Sequence, residues 1–387
     1  YWNIIQYFYP YKYVIGEDWN KVLPEFIPKF ADAKDATDYA LVCLEIIARI
    51  HDTHANIWSK NKELQDFFGK YEVPVQAKFI ENKLVVTGYY EDTLFIKEKL
   101  KLGDVISKIN GVSVQQLVKN NLFLSPASNY ETQLRDLPYR SLLRSRQDSL
   151  QLEIVRNHKK LSVIAYCLEA GHVSTSIDFN PNPKDSSYKI LNGNIGYIFP
   201  GRFHNSQLPS VKKLFENTRG IIVDMRTYPS DFMPFTFGAY IKPDGSPFVK
   251  FTDGDVNYPG VFRYTPLLSN GEPNPAFFKG PIVELVNSTT QSQAEYTTMA
   301  FQTAPDLTVI GNTTAGADGN VSPIYLPGGI LTLISGLGVF YPDGTETQRK
   351  GIKINITVTP TIEGIVNGKD ELLDKAIDII NTKTVVK

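Results

Sequence analysis

The feature that most constrains this chain lies in its second half, where short apolar runs alternate with helical stretches. Gly220-Ile221-Ile222-Val223-Asp224-Met225-Arg226 is an apolar strand that ends in charge, and Pro281–Val286 is another. A strand at Asn194–Phe199 and a helix at Leu208–Glu216 precede the first, and Ser292–Gln302 reads as the helix after the second. Strands at Leu307–Ile310, Leu331–Ile334 and Lys353–Val358 continue the pattern. It closes on a helix at Asp370–Asn381 that buries Leu373, Ala376, Ile377 and Ile380. Alternating βα units imply a layered α/β domain with functional loops at the strand ends.

The first half departs from this. From Trp2 to about residue 70 the spacing is helical: Trp19, Leu23, Phe26, Ile27 and Phe30 recur as one buried helix face requires. A second helix, about Ala36–Ile50, buries Tyr39, Cys43, Ile46, Ile47 and Ile50 and stops at His51-Asp52-Thr53-His54. From about Tyr71 to Leu168 the signals change to short strands at Val73–Phe79, Lys83–Gly88, Asp104–Ile109 and Leu150–Arg156. A Ser-, Asn-, Pro- and Asp-rich stretch from about Gly171 to Tyr188 reads as a linker. The expected layout of the 387 residues is therefore a helical domain over 1–70, a β domain over 71–170 and an α/β domain over 171–387.

Composition excludes several functions. Forty Lys plus Arg stand against 41 Asp plus Glu, so no basic surplus exists to coat nucleic acid. No apolar run approaches the roughly 18–20 residues of a membrane helix; the best, Ala40–Ile50, is interrupted by Glu45 and Arg49. Two cysteines, Cys43 and Cys167, are too few for a disulfide framework or a cysteine-built zinc site and read as buried free thiols. His51, Asp52 and His54 lack matching third and fourth ligands, and no HExxH is present, so neither a metal nor another cofactor is expected. The chain opens on Tyr1-Trp2-Asn3 without Met, from which we expect that an upstream segment was removed.

Two segments carry the functional signal. Lys101-Leu102-Gly103-Asp104-Val105-Ile106-Ser107-Lys108-Ile109-Asn110-Gly111-Val112-Ser113-Val114 reads as turn, strand, Asn-Gly turn and second strand, and resembles the signature of a PDZ domain. Such domains bind extended peptide C-termini by adding a strand to a sheet edge. In Ile282–Glu295 a strand, a polar turn and a helix start follow one another. A Ser in the first helical turn lies near unpaired N–H groups and the positive end of the helix dipole, which suits an acyl-transfer nucleophile. Taken locally, Ser-x-x-Glu is equally a capping box.

Together with Val309-Ile310-Gly311-Asn312-Thr313-Thr314-Ala315-Gly316 and a closing Gly351-Ile352 strand, these segments resemble the tail-specific, C-terminal-processing serine peptidases, a group that includes the tricorn core protease. The resemblance implies a multidomain α/β chain: an N-terminal helical domain, a PDZ-like β domain and a crotonase-like α/β catalytic domain. It implies an endopeptidase acting on peptides or protein tails engaged near their C-termini. The family's nucleophile stands three residues before the helix Glu, which selects Ser292 over Ser288.

The departures from the family pattern are informative. The bacterial processing branch uses a Ser–Lys dyad, but Ala317 stands at the Lys position. The tricorn-like branch uses a His and a late Glu instead, and His54 lies at the matching place after the second helix. A neutral imidazole is the usual base for a Ser hydroxyl near pH 7. For the group that orients it, Gln348 is the direct match before Gly351, while Glu346 lies on the same face of an extended segment and is favoured for its charge. The expected oxyanion donors are the backbone N–H of Gln293 and one from around Ser230 or Asp231. The family's Gly-Gly loop is replaced there, which keeps open a peptide-binding relative with little catalysis. The expected setting is exported, periplasmic or at the surface of a bacterial cell, and homo-oligomerisation is left open.

Overall fold

The computed structural model of the chain describes residues 1–91, 93–173, 175–179 and 186–385; part of the expected linker (174 and 180–185) lies outside them. Four helices lead: α1 (Trp2–Phe8), α2 (Trp19–Ala31), α3 (Ala36–Ala48) and α4 (Lys62–Phe68). Asp18 caps α2 by accepting from Asn20 N–H, and Asp35 caps α3 by accepting from Asp38 N–H. The buried face of α2 is Trp19, Val22 and Phe26; Leu23 and Ile27, expected inside, face out because Val22 completes the stripe.

A five-stranded antiparallel path follows, β1 (Val75–Ile80), β2 (Lys83–Tyr89), β3 (Val105–Ile109), β4 (Ser149–Arg156) and β5 (Lys159–Tyr166), in that spatial order. The Asn110-Gly111 turn joins β3 to the short strand Val112–Ser113, as the sequence pattern requires, but Val114 then opens helix α5 (Val114–Asn121) rather than extending the strand. Ser113 caps that helix at Gln116 N–H. Helix α6 (Tyr130–Leu137) packs beside β1, whose outer edge is unpaired among the described residues.

The third region is built on one mostly parallel sheet in the order β6 (Tyr188–Leu191), β7 (Ile195–Ile198), β8 (Ile221–Asp224), β9 (Ile282–Val286), β10 (Leu307–Gly311) and β11 (Ile356–Thr357), with only the β6–β7 pair antiparallel. Successive residues of β9 go to opposite faces: Ile282 and Val286 pack with helices α7 (Leu208–Phe215) and α8 (Gln293–Phe301), Val283 and Leu285 with α9 (Glu371–Val385). Apolar residues on both faces explain why β8 and β9 read as continuous apolar runs. The strand expected at Leu331–Ile334 lies outside this sheet, in a hairpin of Val321–Leu326 with Ile330–Ser335. Ile324 and Ile334 of that hairpin join the core of α1, α2 and α3, so the N-terminal helices pack directly on the third region. Cys43 and Cys167 are both buried free thiols.

Candidate active site

The loop after β9 turns into α8 at Ser292, which is the N-cap and has φ +55°, a conformation L residues adopt at a cost of about 1–3 kcal/mol. Ser292 N–H is shared between Ala317 O at 2.9 Å and Glu295 Oε2 at 3.2 Å. Glu295 is fully buried and also accepts from Thr314 Oγ1 (2.5 Å), Gly316 N–H (2.8 Å) and Ala317 N–H (3.0 Å). Its carboxylate thus straps residues 314–317 to the Ser292 loop. Burial pushes the Glu295 carboxyl up, and the four donors pull it back. Next to Ala317, Asp318 is also buried, and burial followed by the Glu295 charge raises its carboxyl well above the ordinary range.

The glycines of this segment have a local reason. Gly316 has φ +64°, and a Cβ on it would sit 3.0 Å from the Arg349 backbone. A Cβ on Gly351 would sit 2.3 Å from Thr314 Oγ1. The Gly-Ile strand and the Gly316 loop are therefore one close-packed unit. From α6, Arg135 Nη1 donates to Ser288 O at 2.7 Å and to Gln291 Oε1 at 3.1 Å, fixing the loop ahead of Ser292. Ser288 itself lines a cavity of about 700 Å³ beside β1 and sits in the turn, four residues before the helix cap.

His54 is buried on the turn after α3. Its neighbour Thr53 donates through Oγ1 to Ala315 O at 3.0 Å, and Ala315 N–H donates to Thr290 O at 2.9 Å. The His54 turn and the Ser292 loop therefore dock on the same strip, 315–317. The ring Nδ1 lies 2.8 Å from Ser335 Oγ, at the end of the hairpin, and Ser335 Oγ donates to Asp52 Oδ1 at 2.9 Å. Burial lowers the imidazole pKa and the Asp52 charge partly offsets that.

Neither expected orienting residue plays that part at Nδ1. Glu346 pairs with Lys350 at 2.7 Å, and Gln348, fully buried, donates through Nε2 to Tyr9 Oη at 3.3 Å. Asp52, only two residues from His54, and Ser335 take the place the late segment was expected to fill. Asp-x-His was visible in the sequence; Ser335 carried no signal, being 281 residues downstream.

On the oxyanion side the structure corrects one donor. Ser230 N–H is spent on Pro200 O at 2.9 Å and its hydroxyl on Gly201 O at 2.5 Å. Asp231 is better placed: Gln293 Nε2 donates to Asp231 O at 2.9 Å, which ties that loop to the first turn of α8. The Asp231 carboxylate accepts from His204 Nδ1 (2.9 Å) and Asn205 N–H (2.7 Å), and these partners lower its pKa. It is held toward His204 and Asn205. Among the described residues no group of three His, Cys, Asp or Glu side chains is placed to hold a metal.

A strained Ser at a helix N-terminus, strapped by a buried Glu, on a layered α/β sheet is an arrangement that a serine hydrolase can use. Residues 194–358 match the profile of peptidase family S41, and this part of the chain is similar to that family of serine-type peptidases. A nisin-resistance protein of Lactococcus lactis subsp. lactis is 27% identical over 154 residues, 38% of this chain and 46% of that protein. The chain thus matches less than half the length of this curated relative. Mature CPAF has the same fold, with a TM-score of 0.75 at 12% identity over 98% of this chain and 96% of CPAF. A protein from Parabacteroides merdae aligns with a TM-score of 0.59 at 15% identity, covering 98% and 94%. Among the described residues no helix is long and apolar enough to cross a membrane.

Proposed function

We propose that the chain is a serine endopeptidase that cleaves peptides or protein tails engaged near their C-termini, with Ser292 as nucleophile and His54 as general base. The observation that carries this reading is the shared strip 315–317, on which both the Ser292 loop and the His54 turn are hydrogen-bonded. In the reaction His54 Nε2 takes the Ser292 hydroxyl proton as Oγ attacks the scissile carbonyl. The N–H groups of Gln293 and Asp231 stabilise the oxyanion. His54 then gives the proton to the leaving amine, and water, deprotonated by the same nitrogen, releases the acyl group.

In this reading residues 1–70 deliver the base, 71–170 form a PDZ-like domain, and 171–387 form a crotonase-like catalytic domain. The edge of β1 that is unpaired among the described residues and the cavity of about 700 Å³ beside it, lined by Phe79, Leu134, Arg226 and Ser288, suit an extended apolar chain end added as a strand. The bacterial relative supports an exported, periplasmic or cell-surface setting in a bacterium.

The test is cleavage of unstructured peptides by the full chain, its Ser292→Ala variant and its His54→Ala variant. Turnover by the wild type, lost in both variants and weakened by trimming the peptide's C-terminus, is the expected result. Tight binding of the peptides with no turnover in any form would favour a non-catalytic peptide-binding relative.

A further inference from the structure

We propose that Ser335 and Asp52 are a positioning pair for His54, with Ser335 linking the Asp52 charge to Nδ1 and so holding the tautomer that leaves Nε2 able to accept a proton. This rests on His54 being the base. The direct His54 Nδ1–Asp52 Oδ1 separation is 3.9 Å, too long for a hydrogen bond. Ser335 Oγ bridges the gap, 2.8 Å from the ring nitrogen and 2.9 Å from the carboxylate.

Counting protons fixes the direction of each bond. Asp52 Oδ1 accepts from His54 N–H (3.0 Å) and from the Ser335 hydroxyl, and Oδ2 accepts from Ser335 N–H (2.6 Å). A carboxylate only accepts, so the single Ser335 hydroxyl proton goes to Asp52. Ser335 Oγ is then left to accept, and His54 Nδ1 must be the donor. The lone pair therefore sits on Nε2, the arrangement a general base needs.

The surroundings keep this geometry rigid. Asp52 and Ser335 are fully buried. Trp58 Nε1 donates to His54 O at 2.8 Å, and Thr53 N–H donates to Ser128 Oγ at 2.9 Å, so the turn is held on both sides of the imidazole. Asp52 also acts on the phenols of Tyr1, Tyr9 and Tyr11, all pushed up by burial and so neutral, which leaves Asp52 as the charge facing the imidazole.

The experiment is steady-state peptide cleavage from pH 5 to 9 by wild type, Ser335→Ala, Ser335→Thr, Asp52→Asn and His54→Ala, with ¹⁵N NMR of the His54 ring in the Ser292→Ala protein. Ser335→Ala and Asp52→Asn should each lower kcat on the order of 100-fold with KM within about threefold. Asp52→Asn should also move the acidic limb to lower pH, because the imidazolium loses its charged neighbour. A protein carrying both Ser335→Ala and Asp52→Asn, measured alongside, should be little worse than either single variant, since both break one relay. Ser335→Thr, which keeps the hydroxyl, should recover most of the rate. NMR on an otherwise intact protein should show Nδ1 protonated and Nε2 bare, independent of whether the variants fold. Wild-type kcat and pH limb in Ser335→Ala beside an inactive His54→Ala, or a proton on Nε2 in the NMR spectrum, would overturn the pair alone. Wild-type kcat in His54→Ala would overturn the base assignment and the pair with it.

Discussion

Glu295 and Asp52 are both buried carboxylates, and each gathers several donors, but from different distances along the chain. Glu295 draws its donors from its own helix cap and from residues 314, 316 and 317, at most 22 positions away. Asp52 binds His54 N–H next to it and Ser335 283 positions away. The support of Ser292, the proposed nucleophile, is therefore a local βα unit, formed once β9, β10 and α8 are in place. The support of His54, the proposed base, exists only after the N-terminal helices have docked on the hairpin. Damage to Glu295 should thus read out first as lost stability, and damage around Asp52 first as lost rate.

The largest effects should come from the reacting groups. Ser292→Ala and His54→Ala should each reduce kcat/KM by on the order of 10⁴-fold or more with little change in stability, measured by peptide cleavage and thermal melting. A His54→Ala protein that melted much earlier would blur the comparison, because the base turn would then hold the fold as Glu295 does.

Next comes Glu295→Ala, which leaves three donors, Thr314 Oγ1, Gly316 N–H and Ala317 N–H, at a buried site without their acceptor, while Ser292 N–H keeps Ala317 O. It should destabilise by about 3–5 kcal/mol in urea unfolding. Unchanged stability would show that the strap over 314–317 is held by something else.

Glu284, a third buried carboxyl on β9, sharpens the contrast because it has one donor, Thr298 Oγ1 at 2.8 Å, and burial pushes it up to about 8. Its folded pKa exceeds its unfolded value, so the stability it contributes is full at low pH and is lost as pH rises through about 8. Glu284→Gln does not titrate, so its melting temperature should gain on the wild type between pH 5 and 8. A constant difference across that range would mean Glu284 is not protonated in the fold.

The smallest effect is expected at Glu346, whose partner Lys350 is 63% exposed; such pairs contribute about 0–1 kcal/mol. Glu346→Gln should change kcat by less than about twofold. A large loss would return the orienting role to the late segment.

The same difference in reach explains what the sequence revealed. The βα order, the PDZ-like turn at Asn110-Gly111, the Ser292–Glu295 spacing and the missing Lys at Ala317 are all local patterns, and each is visible along the chain. Gly316 and Gly351 could be noticed as motif letters, although their reason, contact with Arg349 and Thr314, is tertiary. Ser335 could not be found, because an isolated Ser at the end of an apolar strand has no pattern that links it to His54. Ser230 was a false donor for a related reason: its N–H partner, Pro200 O, comes from a loop that no spacing connects to it. The outward face of Leu23 and Ile27 was misread because two adjacent helical stripes, one with Val22 and one with Leu23, fit the periodicity equally well.

The most direct test of the central claim is the pH dependence of Ser292 acylation by a fluorophosphonate, followed by mass spectrometry of the labelled peptide. Burial lowers the His54 pKa from its ordinary 6.5, so base catalysis should already be established at neutral pH and fall away below about 6.5. The account predicts a single adduct on Ser292, an acidic limb with its midpoint under 6.5, and loss of that limb together with most of the labelling rate in His54→Ala. Labelling at Ser288 instead, or an unchanged limb and rate in His54→Ala, would contradict it.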